Sequence, residues 1–189
     1  RGSSQMTTFS PLRAILRLLV MFVTFCAVTL PATASERSEF QSIDGGVLDL
    51  DNWKGQPVLV VNTASRCGFT PQYNEVQALY DAYKDRGLVV VAVPSQDFKQ
   101  ELSSDKEVAE FCALNFDLTL PMTTITHVKG PDAHPFYKWV AAQAGFVPGW
   151  NFNKILIGPD GRVAGFWGAP VTPMSGAITQ SIEALLPKG

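Results

Sequence analysis

Apolar positions along the chain fall into runs whose period changes several times. In residues 40–53 (FQSIDGGVLDLDNW) two short alternating stretches flank Gly45-Gly46, which predicts a hairpin turning at the glycines. After Gly55-Gln56-Pro57 comes Val58-Leu59-Val60-Val61, a continuous apolar run suited to a strand covered on both faces. Tyr73, Val76, Leu79, Tyr80 and Tyr83 then recur at helical spacing. Thr70 is the expected N-cap of that helix, Pro71 its first residue and Gly87 its stop. The run LVVVAV at 88–93 predicts a second buried strand. Another helix opens at Ser104, whose spacing to Glu107 is that of a capping box, and it carries Val108, Phe111, Cys112 and Asn115 on one stripe. A short helix is expected over 135–143. An antiparallel hairpin over 152–166, turning at Pro159-Asp160-Gly161, and a last helix over 174–186 complete the reading.

The order strand, helix, strand, helix, hairpin, helix gives a mixed sheet with helices on both faces. The first two strands pair in parallel through a right-handed crossover, and the hairpin extends the sheet antiparallel. This is a thioredoxin-like α/β architecture with an added amino-terminal hairpin. It places Cys67 at the carboxyl edge of a central strand, where ligand sites of open sheets gather.

The amino terminus changes the picture of where the domain works. Residues 1–5 (RGSSQ), ahead of Met6, read as a cloning remnant, and residues 6–34 have the pattern of a secretory signal. Arg13 and Arg17 flank an apolar run over 18–30, followed by Ala32-Thr33-Ala34 and a polar stretch. The run is shorter than the roughly 20 residues of a bilayer span. Export to a periplasm or secretion is therefore expected, with an uncleaved membrane anchor as the competing reading. Residues 35–189 then form one domain, long enough to bury a core without disulfide staples. The net charge is only −2 and no basic patch stands out, which argues against a nucleic-acid partner. Cys26 lies in the segment to be discarded, so export leaves Cys67 and Cys112, two thiols that an oxidising compartment allows to pair.

Residues 61–74 (VNTASRCGFTPQYN) are where chemistry is expected. Only the thiolate of cysteine is a good nucleophile, and free N–H groups at a helix start stabilise that anion. Cys67 precedes the helix of Pro71 in a loop-like setting, with Gly68 allowing close backbone approach. Thr70 stands where a Cys-X-X-Cys partner would be, which argues against an ordinary disulfide oxidoreductase. The alternative is a buried cysteine acting as a small apolar residue.

The segments VNTASRCGFTPQYNEVQALYDAYKDRG and WNFNKILIGPDGRV, in that order, resemble the glutathione peroxidase family, and the likeness runs from about residue 40 to the carboxyl end. The resemblance implies a thioredoxin-like fold and reduction of hydroperoxides at Cys67, with no cofactor and no metal. It also implies a tryptophan and an asparagine beside the thiol, matching Trp150 and Asn151, whose N–H groups can donate to sulfur or peroxide oxygen. The other reading of Trp150 is a core aromatic. The family's glutamine motif, Phe-Pro-Cys-Asn-Gln-Phe-Gly, departs here to VPSQDFKQE. Asp97 aligns with that glutamine, and Gln96 stands one place earlier. Either Gln96 turns inward, which is the reading favoured, or Asp97 is protonated or points away.

Members that work with thioredoxin have a resolving cysteine that matches Cys112 in EFCALNFDLTLP. The expected reductant is thus a thioredoxin-like protein, with glutathione second. The expected reduced form has separated sulfurs, and the oxidised form a rearranged 104–116 segment. The short stretch between Trp139 and Trp150 resembles the compact, monomeric branch, whose open site is compatible with lipid hydroperoxides. His127 and His134 are assigned no role. A peroxide sensor passing a disulfide to a client protein, and a binding module with inert cysteines, are the competing function classes.

Overall fold

The structure, a computed structural model, describes residues 1–3 and 37–187. The expected signal at 6–34 lies outside the described residues. In the opening hairpin β1 (Glu39–Gln41) pairs antiparallel with β2 (Val47–Asp49), and Gly45 and Gly46 both take positive φ in its turn, 93° and 77°. β3 (Val58–Thr63) and β4 (Val89–Pro94) run parallel, from Val58 beside Val89 to Thr63 beside Pro94. β5 (Lys154–Ile157) pairs antiparallel with the other edge of β3, and β6 (Val163–Trp167) with β5. The sheet order is β4-β3-β5-β6. Four α-helices accompany these strands among the described residues: α1 (Gln72–Tyr83), α2 (Asp105–Phe116), α3 (Pro135–Ala144) and α4 (Gly176–Leu185).

Alternate residues of the central strand serve two cores. Leu59 and Val61 meet Tyr73, Val76 and Leu79 of α1, Cys112 of α2, and Ile178 and Ile182 of α4. Val58 and Val60 meet Phe40 of the hairpin and Phe136, Tyr137 and Val140 of α3. An unbroken apolar run is what a strand covered on both sides requires. Each such large side chain taken from water contributes about 1.5–3 kcal/mol.

Local details depart from expectation where tertiary partners intervene. The N-cap position of α1 is held by Pro71 at φ −56°, with no side-chain cap bond. Thr70 instead turns back on the preceding loop. Its hydroxyl accepts the Cys67 N–H at 2.9 Å and donates to the Ala64 carbonyl at 2.8 Å. Ser104 does cap α2, accepting the Glu107 N–H at 3.3 Å. Glu107 reaches back not to Ser104 but to Ser103, accepting its N–H at 3.1 Å and its hydroxyl at 2.6 Å. Asn115 leaves the expected stripe; it is exposed and donates to the Phe111 carbonyl at 2.8 Å. β5 begins at Lys154 rather than at residue 152, because Phe152 has φ 60°, which no strand can continue.

Lys154 is fully buried, on the same sheet face as Leu156. Its Nζ donates to Gln72 Oε1 at 2.6 Å, Val171 O at 2.6 Å and Ala169 O at 3.4 Å. Gln72 Nε2 also donates to Ala169 O, at 2.8 Å. The cluster clamps the segment after β6 onto the first turn of α1. Burial pulls the ammonium down to about 8, only partly opposed by the Glu75 charge. Between pH 8 and the ordinary lysine value of roughly 10.4, the unfolded chain therefore holds a proton that the native chain has released, and stability climbs with pH in that window. Urea unfolding from pH 7.5 to 10 should show this climb in the wild type and not in Lys154→Met. Parallel curves for the two proteins would contradict it.

Candidate active site

Cys67 lies in the turn that carries β3 into α1, and it is 7% exposed. Three bonds shape the turn. The Cys67 N–H is taken by Thr70 Oγ1, the Thr70 N–H by the Cys67 carbonyl at 3.0 Å, and the Arg66 N–H by the Gln100 carbonyl at 2.8 Å. The Phe69 N–H then points at Cys67 Sγ, 3.4 Å away, a sulfur-length hydrogen bond. A backbone N–H aimed at sulfur is a donor that a thiolate can accept. The threonine in the place of a second cysteine thus fixes the loop that presents the first.

The second half of the site comes from the segment between α3 and β5. Asn62 of β3 secures it. Its Nδ2 donates to the Trp150 carbonyl at 2.9 Å, its Oδ1 accepts the Asn153 N–H at 3.2 Å, and its own carbonyl accepts the Phe152 N–H. Asn153 Nδ2 also donates to the Trp150 carbonyl. Between these anchors the chain makes the left-handed turn at Phe152 that buries Asn151 completely. Asn62 was not singled out from the sequence, where it reads as one more position of a buried strand.

Trp150 is 42% exposed and is therefore not a core aromatic. Its ring leans on Phe98, with centroids 5.4 Å apart and planes at 49°. Lys129 Nζ sits 4.2 Å from the centre of the Phe98 ring. Asn151 Nδ2 donates to Gln100 Oε1 at 3.0 Å.

The glutamine hydrogen-bonded to Asn151 is Gln100, whereas Gln96 was the one expected to turn inward. The Gln96 amide is spent on the backbone of Glu101, accepting its N–H at 3.0 Å and donating to its carbonyl at 3.1 Å. The chain turns sharply through Lys99, at φ 58°, so that Gln100 faces the Cys67 turn and Asn151. Asp97 points away from the thiol. It accepts from His127 Nδ1 at 2.7 Å and from the Val128 and Lys129 N–H groups at 2.6 and 3.1 Å. Partial burial pushes the Asp97 carboxyl up, but the His127 bond and the two backbone donors outweigh it and the net shift is downward. The same bond raises His127. His134 caps α3, accepting the Phe136 N–H at 3.2 Å, and stacks on Phe40.

Cys112 is 1% exposed on the intact α2, and both thiols are free. Burial drives the Cys112 thiol up to about 11; the nearby Tyr73 hydroxyl lowers it and the Glu101 charge raises it. Cys67 and Cys112, 45 residues apart in the chain, belong to the same core cluster. A cavity of about 260 Å³ opens elsewhere, at the start of β3, lined by Trp53, Val58, Trp139 and Ile157, and holds none of these residues.

Comparison with known proteins gives the family and the fold. The family profile for glutathione peroxidase matches residues 36–141. A glutathione peroxidase-like peroxiredoxin of Saccharomyces cerevisiae, HYR1, is 40% identical over 148 residues, which are 75% of this chain and 90% of the relative. A hydroperoxy fatty acid reductase of Synechocystis is 38% identical over 77% of this chain and 91% of its own length. Among solved structures, Trgpx in apo form superposes with a TM-score of 0.61 at 32% identity, covering 82% of this chain and all of that one. A secreted Mycobacterium tuberculosis disulfide oxidoreductase reaches 0.56 at 15% identity and shares the fold alone. With its thioredoxin-like fold and these relatives, the chain is a peroxidase of the glutathione peroxidase family.

Proposed function

We propose that Cys67 is the peroxide-reducing thiol of this peroxidase and that Cys112 resolves its oxidised form. The observation that carries the reading is the Phe69 N–H aimed at Cys67 Sγ, in a turn flanked by the Asn151–Gln100 pair. The thiolate attacks the nearer peroxide oxygen. An S–O bond forms, the O–O bond breaks, and water or an alcohol departs once protonated, leaving Cys67 as a sulfenic acid. In this reading the N–H groups of Trp150, Asn151 and Gln100 favour the shift of charge from sulfur to the leaving oxygen. Cys112 then displaces the hydroxyl to give a disulfide, which an external dithiol reduces by exchange.

A thioredoxin-like reductant is supported by the second thiol inside the same core and by relatives named peroxiredoxins. Organic and lipid hydroperoxides fit a half-exposed Trp150 at the rim, and a hydroperoxy fatty acid reductase among the relatives favours them as substrates. The domain acts as a monomer in this reading, on the strength of the short 139–150 stretch. Its place is outside the cytoplasm, on the signal-like pattern at 6–34.

Substitutions at both cysteines and both glutamines have distinct expected outcomes. In stopped-flow assays Cys67→Ser should consume no peroxide; full consumption would leave only a binding module. Cys112→Ser should reduce one equivalent of peroxide at the wild-type rate yet fail to turn over with thioredoxin, whereas sustained thioredoxin turnover would remove Cys112 from the cycle. Gln100→Ala should slow the first step by roughly tenfold or more, as loss of a charge-stabilising group does. Gln96→Ala, which loses only a local tether, should cost about 1 kcal/mol of stability and leave that step within a few-fold. The opposite ranking of the two variants would return the role to Gln96.

A further inference from the structure

Lys154 carries a fully buried amine into the apolar core, and nothing in the peroxide step uses it. Its three hydrogen-bond acceptors, Gln72 Oε1, Val171 O and Ala169 O, are uncharged carbonyl oxygens. Its register neighbours on β3 and β6 are Val61 and Trp167, and α4 brings Ile178 and Ile182 to the core on that face. On α1 the charge that reaches it is that of Glu75, whose carboxylate accepts the Met174 N–H at 3.0 Å. Burying a charge without an ionic partner is costly, and the first turn of a helix is the end whose dipole repels a cation. A methionine would fill similar space with neither penalty. Side chains that break such rules gather at functional sites.

Hydrogen bonds run from this amine to both halves of the site. Gln72 opens α1, and its side chain is held at Oε1 by Lys154 at 2.6 Å and at Nε2 by the Ala169 carbonyl at 2.8 Å. The Gln72 N–H donates to the Phe69 carbonyl at 2.9 Å, and the Phe69 N–H is the group 3.4 Å from Cys67 Sγ. In the other direction Lys154 opens β5 directly after Asn153. Asn153 gives its N–H to Asn62 Oδ1 and takes the Asn62 N–H on its carbonyl, both at 3.2 Å. Asn62 thus ties the Trp150-Asn151 segment to β3, and Lys154 ties the strand that follows it to α1. Three N–H groups meet three carbonyl oxygens only when the amine is protonated. A neutral amine has two, and turns a lone pair toward the third oxygen.

We propose that Lys154 is a positioning residue for the peroxide step: as an ammonium it holds the first turn of α1, through Gln72, against the strand that follows Asn151, and so sets Cys67 and the Phe69 N–H relative to Trp150 and Asn151. This rests on Cys67 being the peroxide-reducing thiol. Lys154 exchanges no proton or electron with the substrate. Loss of its own proton leaves one carbonyl without a donor and loosens the clamp. With burial pulling the ammonium down to about 8, the clamp is charged in roughly nine molecules of ten at pH 7. It is lost progressively as the pH rises above 8.

The test is stopped-flow oxidation of the reduced full-length protein by hydrogen peroxide, with wild type and Lys154→Met compared from pH 6 to 9.5. At pH 7 the variant should lose roughly tenfold or more in the second-order rate constant, the order of loss that a misplaced reacting group brings. The ratio of the two rate constants should shrink severalfold toward one as the pH rises through 8, because the wild type then loses its clamp too. A wild-type rate in Lys154→Met at pH 7 would overturn the proposal. So would a loss that stays constant with pH, since missing packing does not titrate. If Lys154→Met does not fold, Gln72→Met decides, because it removes the acceptor that joins Lys154 to α1. A peroxide step slowed about tenfold supports the clamp, and an unchanged one overturns it. Peroxide consumption that survives Cys67→Ser would refute the reading of Cys67 itself, and this proposal with it.

Discussion

The site depends on the side chain of Asn62. Cys67 and Asn151 are separated by α1, β4, α2 and α3, and neither segment has a local reason to find the other. Asn62 sits on the central strand five residues before the thiol. It binds the backbone of residues 150, 152 and 153, so the two halves of the site are referenced to one rigid element. Its amide is 1% exposed with both ends satisfied, which is what makes a buried polar group rigidifying rather than merely costly. Gln100 closes the arrangement from the third side, with its carbonyl on Arg66 N–H and its side chain on Asn151.

Strain gathers where these segments converge. Phe152 and Lys99, each next to a residue of the site, hold φ near 60° without being glycine. An aromatic residue in that region costs on the order of 1–3 kcal/mol, and it persists at Phe152 because the ring is fully buried against Tyr73 while its N–H is fixed by Asn62. The packing of two cores thus sustains a backbone geometry that serves the site.

The two cysteines show how placement sets reactivity. Cys67 is held in a turn with the Phe69 N–H aimed at its sulfur. Cys112 lies on the inner face of a helix, where burial and a nearby carboxylate suppress charge. One thiol faces a backbone donor and the other lies on the inner face of a helix, within a single core cluster. A peroxidase with an internal second thiol requires that asymmetry, because a reactive Cys112 would compete for the same oxidants.

The periodicity of apolar residues was enough to read the sheet, its two parallel strands, the carboxyl-terminal hairpin and the four helices, since each burial face repeats at the spacing of its own backbone. Cys67 stood out by its loop-like setting between a strand and a helix, while Trp150 and Asn151 were named only through the resemblance to the glutathione peroxidase family. Gln100 was not legible. Its contact with Asn151 depends on a tight left-handed turn at Lys99, and Gln96 carries the same amide with nothing in the local pattern to separate them. Thr70, Asn62 and Lys154 were hidden for a related reason. Each acts through hydrogen bonds to backbone that comes near only when the chain folds, and a linear pattern records the spacing of burial but not which buried polar atom meets which.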